Sequence, residues 1–483
     1  MMRVFSNSII IISILISISN TAASASPSQI IEVFRHGNRS PVSGYDPTWP
    51  ASQWGRLTSV GMRQQYILGR VLSEKYPALI QSDYDYNHIY AVSDTTTRCV
   101  QSAMAQLYGM YLNSGPALNA SYPSELAVPP YQSQLVQDLA HTLPSTEAIP
   151  HNNVPNIVNI VDSTNAIIFQ GASSIYCPNA PLWIQQNSND SKIQEGWAMF
   201  QDTVNHMNQY LNDDTQRITN VSRLMSFGDT MAANLLENKP LPGNIADPDL
   251  IKNISFAITW FSNHIYYGSP LQVQTSLFNL IDAVMKELEA FRKGITYNKV
   301  ALFSGHDSNL FPILAGFGVI NEECLTANFR SYAKNKTLPF PNCYYPTLAS
   351  NVVFEFYNDT SSPYVKVFYN DDLLKLCNGQ DFCSYEDFVA FVKNATGNST
   401  FAIYQQRCGV VKQEEVRLIA SEDIKESKLE TYSLTLMVLF CGVLAIKLLL
   451  NKKKYEKLLN ESQENESKEY LFAPEEDNMV MLK

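Results

Sequence analysis

Residues 29–41 read QIIEVFRHGNRSP, and this stretch decides the fold. Ile30, Ile31, Val33 and Phe34 are β-branched or aromatic and suit a pleated, buried surface, so they predict a short strand. Gly37 and Pro41 then punctuate a loop. The loop starts at a strand's carboxyl end and carries Arg35, His36 and Arg39, at the edge where open α/β sheets bind ligands. Two guanidinium forks match a tetrahedral oxyanion, and an imidazole is a nucleophile or base near neutral pH. The competing reading is a solvated basic turn, and the rest of the chain decides between them.

Two further strand ends carry chemistry. Residues 88–93 predict a second strand, and Asp94-Thr95-Thr96-Thr97-Arg98 turns directly into a helical run through Leu112. Arg98 then stands in a first helical turn, where a cation opposes the helix dipole but the exposed N–H groups favour an anion. Residues 298–303 predict another strand, ending at Ser304-Gly305-His306-Asp307-Ser308-Asn309. The bland reading of that turn is an Asp N-cap for the next helix. Between the first two strands, Thr58 is a plausible N-cap for a helix to about Tyr76, with Val60, Tyr66, Ile67 and Val71 at helical spacing. Helical pattern also covers residues 250–267 and 275–293, and residues 351–357 and 363–369 predict a hairpin. Strands alternating with helices predict an α/β fold with a largely parallel sheet flanked by helices.

Residues 113–248 break that texture. They lack clear buried strands, hold proline clusters, and show helical runs at 196–211 and 221–236. They predict a smaller, mainly α-helical cap insertion, leaving residues 26–112 and 249–425 as the α/β core. His141 and His151 fall in predicted loops here, without metal-ligand spacing.

The chain of 483 residues has room for two or three domain-sized units, and 45% hydrophobic residues suffice for a large core. A formal net charge of -11 argues against nucleic acid or a general polyanion as partner, so the Arg cluster is aimed at one small anion. Residues 1–25 combine Arg3, a short apolar run and Ala23-Ser24-Ala25, the pattern of a signal peptide. Residues 431–450 predict one transmembrane helix. Asn451-Lys452-Lys453-Lys454 follows at once, which puts residues 451–483 in the cytoplasm as a charged tail and the N-terminal bulk outside the cytosol, a single-pass type I arrangement. Sequons at Asn119, Asn189, Asn220, Asn253, Asn335, Asn358, Asn394 and Asn398 fit a glycosylated lumenal or surface domain. Asn38 is formally a sequon too, but Pro41 and the surrounding loop argue against its use. Of eight cysteines, Cys441 lies in the span, and the other seven cannot all pair.

Taken together, Arg35-His36-Gly37-Asn38-Arg39-Ser40-Pro41, Leu57-Thr58 with Gly61 and Gln64, Asp94 to Arg98, and Ser304-Gly305-His306-Asp307 resemble the histidine acid phosphatases of the phosphoglycerate mutase-like superfamily. The membrane anchor makes the likeness greatest to the lysosomal or prostatic type. The resemblance implies His36 as nucleophile, forming a phosphohistidine. It implies Arg35, Arg39, Arg98 and His306 as phosphate ligands and Asp307 as proton donor to the leaving oxygen, with no metal and no other cofactor. Cys377 and Cys383 look like the family's short bridge and Cys177 and Cys408 like its long one. Cys324 with Cys343 is the third expected pair, leaving Cys99 as a buried thiol.

The implied partners are small phosphate monoesters, with phosphoproteins, phospholipid head groups and a homodimer as open alternatives. An inositol polyphosphate phosphatase would need a basic cluster on the cap, and residues 116–248 hold none. A non-catalytic glycosylated ectodomain would have lost a His or Arg, and none of the six positions is lost. The tail sequence Tyr455-Glu456-Lys457-Leu458 and Asp477 ahead of Met481-Leu482 match sorting signals. They point to a lysosome or other acidic endomembrane compartment, with the plasma membrane as the alternative.

Overall fold

The computed structural model describes residues 26–42, 44–81, 83–112, 128, 134–142, 157–211, 216–358 and 362–410. The expected signal peptide, membrane span and tail lie outside these residues. Among the described residues, no helix is long and apolar enough to cross a membrane.

Eight strands form one sheet: β1 (Gln29–Arg35), β2 (Ile89–Ser93), β3 (Asn159–Ile160), β4 (Val300–Gly305), β5 (Asn351–Tyr357), β6 (Tyr364–Tyr369), β7 (Asp372–Leu374) and β8 (Cys383–Ser384). Their order is β3-β2-β4-β1-β5-β6-β7, with β8 paired to β6. The first four in that order run parallel, and β5 to β8 extend the sheet by antiparallel pairing. Every residue of β1, β4 and β5 is buried, because helices cover both faces. β6 instead alternates buried and half-buried residues, with one face less covered.

Helices α1 (Ser59–Lys75) and α2 (Thr97–Met110) cover one face. The segment that follows holds α3 (Gln134–Thr142), α4 (Ile167–Gln170), α5 (Ala180–Ser188), α6 (Ser191–Met199), α7 (Gln201–Tyr210) and α8 (Val221–Leu236). The chain continues through α9 (Pro248–Tyr267), α10 (Pro270–Arg292), α11 (Asp307–Gly316), α12 (Glu322–Asn335), α13 (Tyr385–Ala395) and α14 (Phe401–Cys408). Successive side chains of β1 point to opposite faces. Ile30 and Phe34 therefore pack with Leu72 and Leu107 of α1 and α2, while Ile31 and Val33 join the larger core built from α8 to α11.

The predicted hairpin, the Thr58 cap and the helix over 221–236 are present. Residues 113–248 add one short strand, β3, paired with β2; both of its residues are exposed, so no buried strand is described there. Three readings are corrected. The helical run at 196–211 is two helices, broken at Phe200. His306, not Asp307, is the N-cap of α11. His141 lies in α3 rather than a loop, and His151 is outside the described residues. The three expected disulfides are formed, Cys177–Cys408, Cys324–Cys343 and Cys377–Cys383, and Cys99 is free and buried.

Glu32 breaks the apolar pattern of β1. It is buried on the α1–α2 face and accepts hydrogen bonds from Gln106 and Asn351. Burial pushes its carboxyl up from 4.5 to about 7, against the pull of those two donors. The folded chain thus holds a proton that the unfolded chain releases. Its stabilising effect is complete below about pH 4.5 and fades by roughly 3 kcal/mol as pH rises through 7. Glu32→Gln should flatten the fall in thermal midpoint between about pH 5 and 7.5, and a variant as pH-sensitive as the parent would refute this.

Candidate active site

Because β2, β4 and β1 are adjacent and parallel, their carboxyl ends meet at one edge. Arg35 pairs in register with Gly305, and Ser93 with Ser304. The three predicted turns are therefore neighbours, although some 270 positions separate the first from the last in sequence.

The loop after β1 is held by backbone bonds from several elements. Asn38 N–H donates to Gln64 (2.9 Å), Gly37 N–H to Ser102 (3.1 Å), and Gln65 Nε2 to the Arg35 carbonyl (2.9 Å). Thr58 N–H donates to the Asn38 carbonyl (2.9 Å), and Ala349 N–H to that of His36 (3.0 Å). The loop also lies directly on the first turn of α1. A Cβ at Gly37 would sit 2.2 Å from the Gly61 carbonyl oxygen, and one at Gly61 would sit 2.1 Å from that of Asn38. Only glycine fits at either position. Asn38 itself is buried and donates to Glu237 (2.7 Å), so its sequon is inaccessible.

His36 is buried, and its Nδ1 lies 2.8 Å from the Gly37 carbonyl. A carbonyl only accepts, so Nδ1 carries the proton and the lone pair belongs to Nε2. Burial first, then Arg98, His306, Arg35 and Arg39, drive its pKa well below the usual histidine range, so the ring stays neutral in acid. The His306 ring stands edge-on to it, with centroids 5.4 Å apart.

Each charged neighbour has a counterpart. Arg35 Nη1 donates to the Pro346 carbonyl (2.7 Å), and its Nη2 meets Asp307 Oδ2 at 2.7 Å. Arg39 meets Asp229 of α8 at 2.8 Å, and the same carboxylate accepts the Val42 N–H (2.8 Å). Arg98, in the first turn of α2, reaches the Gly55 carbonyl at 3.4 Å. Asp307 accepts the Ser308 N–H (2.8 Å), yet burial raises its pKa in spite of Arg35 and Arg39. A carboxyl whose pKa is raised in this way is suited to donate a proton in mild acid.

His306 Nε2 lies 2.9 Å from Asp94 Oδ2. Burial works to raise Asp94, but the His306 hydrogen bond and charge and the Gln170 and Thr96 donors outweigh it and keep the carboxylate ionised. Nε2 therefore carries the proton. Burial lowers His306 to about 4 despite Asp94. Asp94, Cys99 and His306 offer three metal-type donors within 4.8 Å of one another. Burial pushes the Cys99 thiol up to about 12, so it stays protonated; it donates to the Gly305 carbonyl (3.3 Å) and packs 3.6 Å from both nitrogens of His306. The trio reads as a brace for the His306 ring, since a cation there would also face the Arg35 and Arg98 charges that already act on that ring.

The structure thus gathers all six residues singled out from sequence: Arg35, His36, Arg39, Arg98, His306 and Asp307. Two more carboxylates complete the site. Asp94 opens the turn that carries Arg98, and Asp229 lies inside a helical segment with no local signal. Both are recoverable only from the contacts they make with His306 and Arg39.

The family model described as Histidine phosphatase superfamily (branch 2) matches residues 28–242. The lysosomal acid phosphatase of Xenopus laevis is 23% identical over 357 residues, covering 70% of this chain and 67% of that protein. The testicular acid phosphatase of Mus musculus is 24% identical over 327 residues, covering 62% and 67% respectively. Among solved structures, a phytase of Klebsiella sp ASR1 is 14% identical with a TM-score of 0.51, covering 78% of this chain and 97% of that one. At that identity the likeness is one of fold alone.

Proposed function

From the premise that this chain belongs to the histidine phosphatase superfamily, branch 2, we propose that it hydrolyses phosphate monoesters in acid through a phosphohistidine on His36. The observation that carries this reading is the neutral His36 ring, its Nε2 lone pair fixed by the Nδ1 bond to Gly37, beside an Arg35-paired Asp307 whose carboxyl favours its proton.

Phosphoryl transfer requires positioning and charge neutralisation above all. Arg35, Arg39 and Arg98 supply fixed positive charge for the phosphate oxygens. His36 Nε2 forms the N–P bond as the ester P–O bond breaks, and Asp307 gives its proton to the leaving oxygen. In the second step Asp307, now a carboxylate, takes a proton from water as that water attacks phosphorus and the N–P bond breaks. The pH–rate profile on p-nitrophenyl phosphate tests this: activity should fall at neutral pH as Asp307 ionises. A profile rising through neutrality would overturn the assignment.

His306 adds a proton-linked element. With Nε2–H committed to Asp94, the neutral ring has only a lone pair at Nδ1 and can donate to phosphate only after taking up a second proton. Inorganic phosphate should therefore inhibit more strongly as pH falls from about 6 to 4.5, and His306→Asn should lose part of that dependence. An unchanged dependence in the variant would count against the role.

The relatives' names support a lysosomal or secretory setting, and the raised Glu32 carboxyl favours acidic conditions. The type I anchor and the division into core and cap belong to this proposal as well. The inositol polyphosphate alternative has only a likeness of fold behind it.

A further inference from the structure

We propose that Tyr345 is a further catalytic residue, its phenol donating a hydrogen bond to the ester oxygen that Asp307 protonates. This rests on the reading of Asp307 as the acid.

Tyr345 is 0% exposed, and its hydroxyl has no hydrogen-bond partner among the described residues. Four other tyrosines do find partners: Tyr404 donates to the Gly171 carbonyl, Tyr76 and Tyr357 to Glu355, and Tyr385 to Glu289. The Tyr369 hydroxyl is likewise buried without a hydrogen-bond partner among the described residues, but it lies on β6, away from the ends of β1, β2 and β4. A buried hydroxyl left unpaired costs stability, and phenylalanine would fill the same apolar space without that cost.

Its position gives the hydroxyl a use. The Tyr345 ring packs on Phe311, with centroids 5.2 Å apart. Phe311 stands one turn beyond Asp307 in α11, so both lie on the same helix face. The next residue in the chain, Pro346, accepts from Arg35, whose other nitrogen holds Asp307. The charges of Asp307 and Arg35 both act on the phenol, and burial keeps it protonated far above the working pH. The donor is therefore already desolvated and lies within the electrostatic reach of the proton source.

In the first step the ester oxygen receives the P–O electron pair and the Asp307 proton, while His36 Nε2 bonds to phosphorus. Tyr345 keeps its own proton and shares it as a hydrogen bond as charge develops on that oxygen. An alkyl oxygen concentrates the charge and needs the donor, whereas p-nitrophenolate disperses it.

The test measures kcat/KM at about pH 5 on glycerol 2-phosphate and p-nitrophenyl phosphate for the parent, Tyr345→Phe and Asp307→Asn. Tyr345→Phe should lose about tenfold to a hundredfold on the alkyl ester but less than about threefold on the aryl one, with an unchanged or higher thermal midpoint. The ratio between the two substrates does not depend on the folded fraction. Equal losses on both, or no loss on the alkyl ester, would overturn the proposal. Asp307→Asn should move the ratio in the same direction; a ratio it leaves unmoved would instead overturn Asp307 as the acid.

Discussion

Replacing His36 with Ala is expected to lower p-nitrophenyl phosphate turnover by at least about a thousandfold, because the proposed mechanism forms its covalent bond to phosphorus through this ring. The imidazole occupies the junction of three strand ends, and its Nε2 lone pair is available only because Nδ1 is committed to Gly37. The loop's backbone bonds to Gln64, Gln65, Thr58 and Ser102 do not involve the ring, so the variant should keep its fold. Far-UV circular dichroism and the thermal midpoint check that point. A folded variant with most of its activity intact would remove the phosphohistidine from the scheme.

Asp229→Ala is the second large expected effect, and it acts on stability as well as binding. Arg39 and Asp229 are both essentially inaccessible to solvent, at 1% and 0% side-chain exposure. Removing the acid takes a directly paired carboxylate from a buried guanidinium and the acceptor from the Val42 N–H. Breaking one side of such a pair typically costs about 3–5 kcal/mol. Denaturant unfolding should register that loss, and the KM for phosphate monoesters should rise as Arg39 drifts. Asp229→Asn keeps an acceptor for Val42 and should cost less. An Ala variant within about 0.5 kcal/mol of the parent would mean that water or another group already serves Arg39.

What sequence reading could reach follows from how local each signal is. The β1 loop, the Arg98 turn and the His306-Asp307 turn were legible because each pairs a strand pattern with an unusual residue at its end, and parallel strands must align those ends. The Thr58 cap and the glycine at 61 were also local. Asp229 was not: an Asp inside an amphipathic helix looks like a solvent-facing residue until the helix is seen against Arg39. Glu32 was hidden among apolar neighbours for the opposite reason, since a strand buried on both faces leaves no alternation for a polar residue to violate. β3 was too short to show a period, and Tyr345 gave no signal because its interest lies in a bond the hydroxyl does not make.

The position of β4 has a consequence for biosynthesis. It lies between β1 and β2, yet it is made more than 200 residues after either of them. A nascent chain that has emerged only as far as α10 therefore holds β1 and β2 with no shared neighbour, and His36 without Asp307. Contacts of such long sequence separation form late and slowly. The enzyme should stay inert on the ribosome and switch on in a single event, when residues 300–305 slide between two strands that have waited for them.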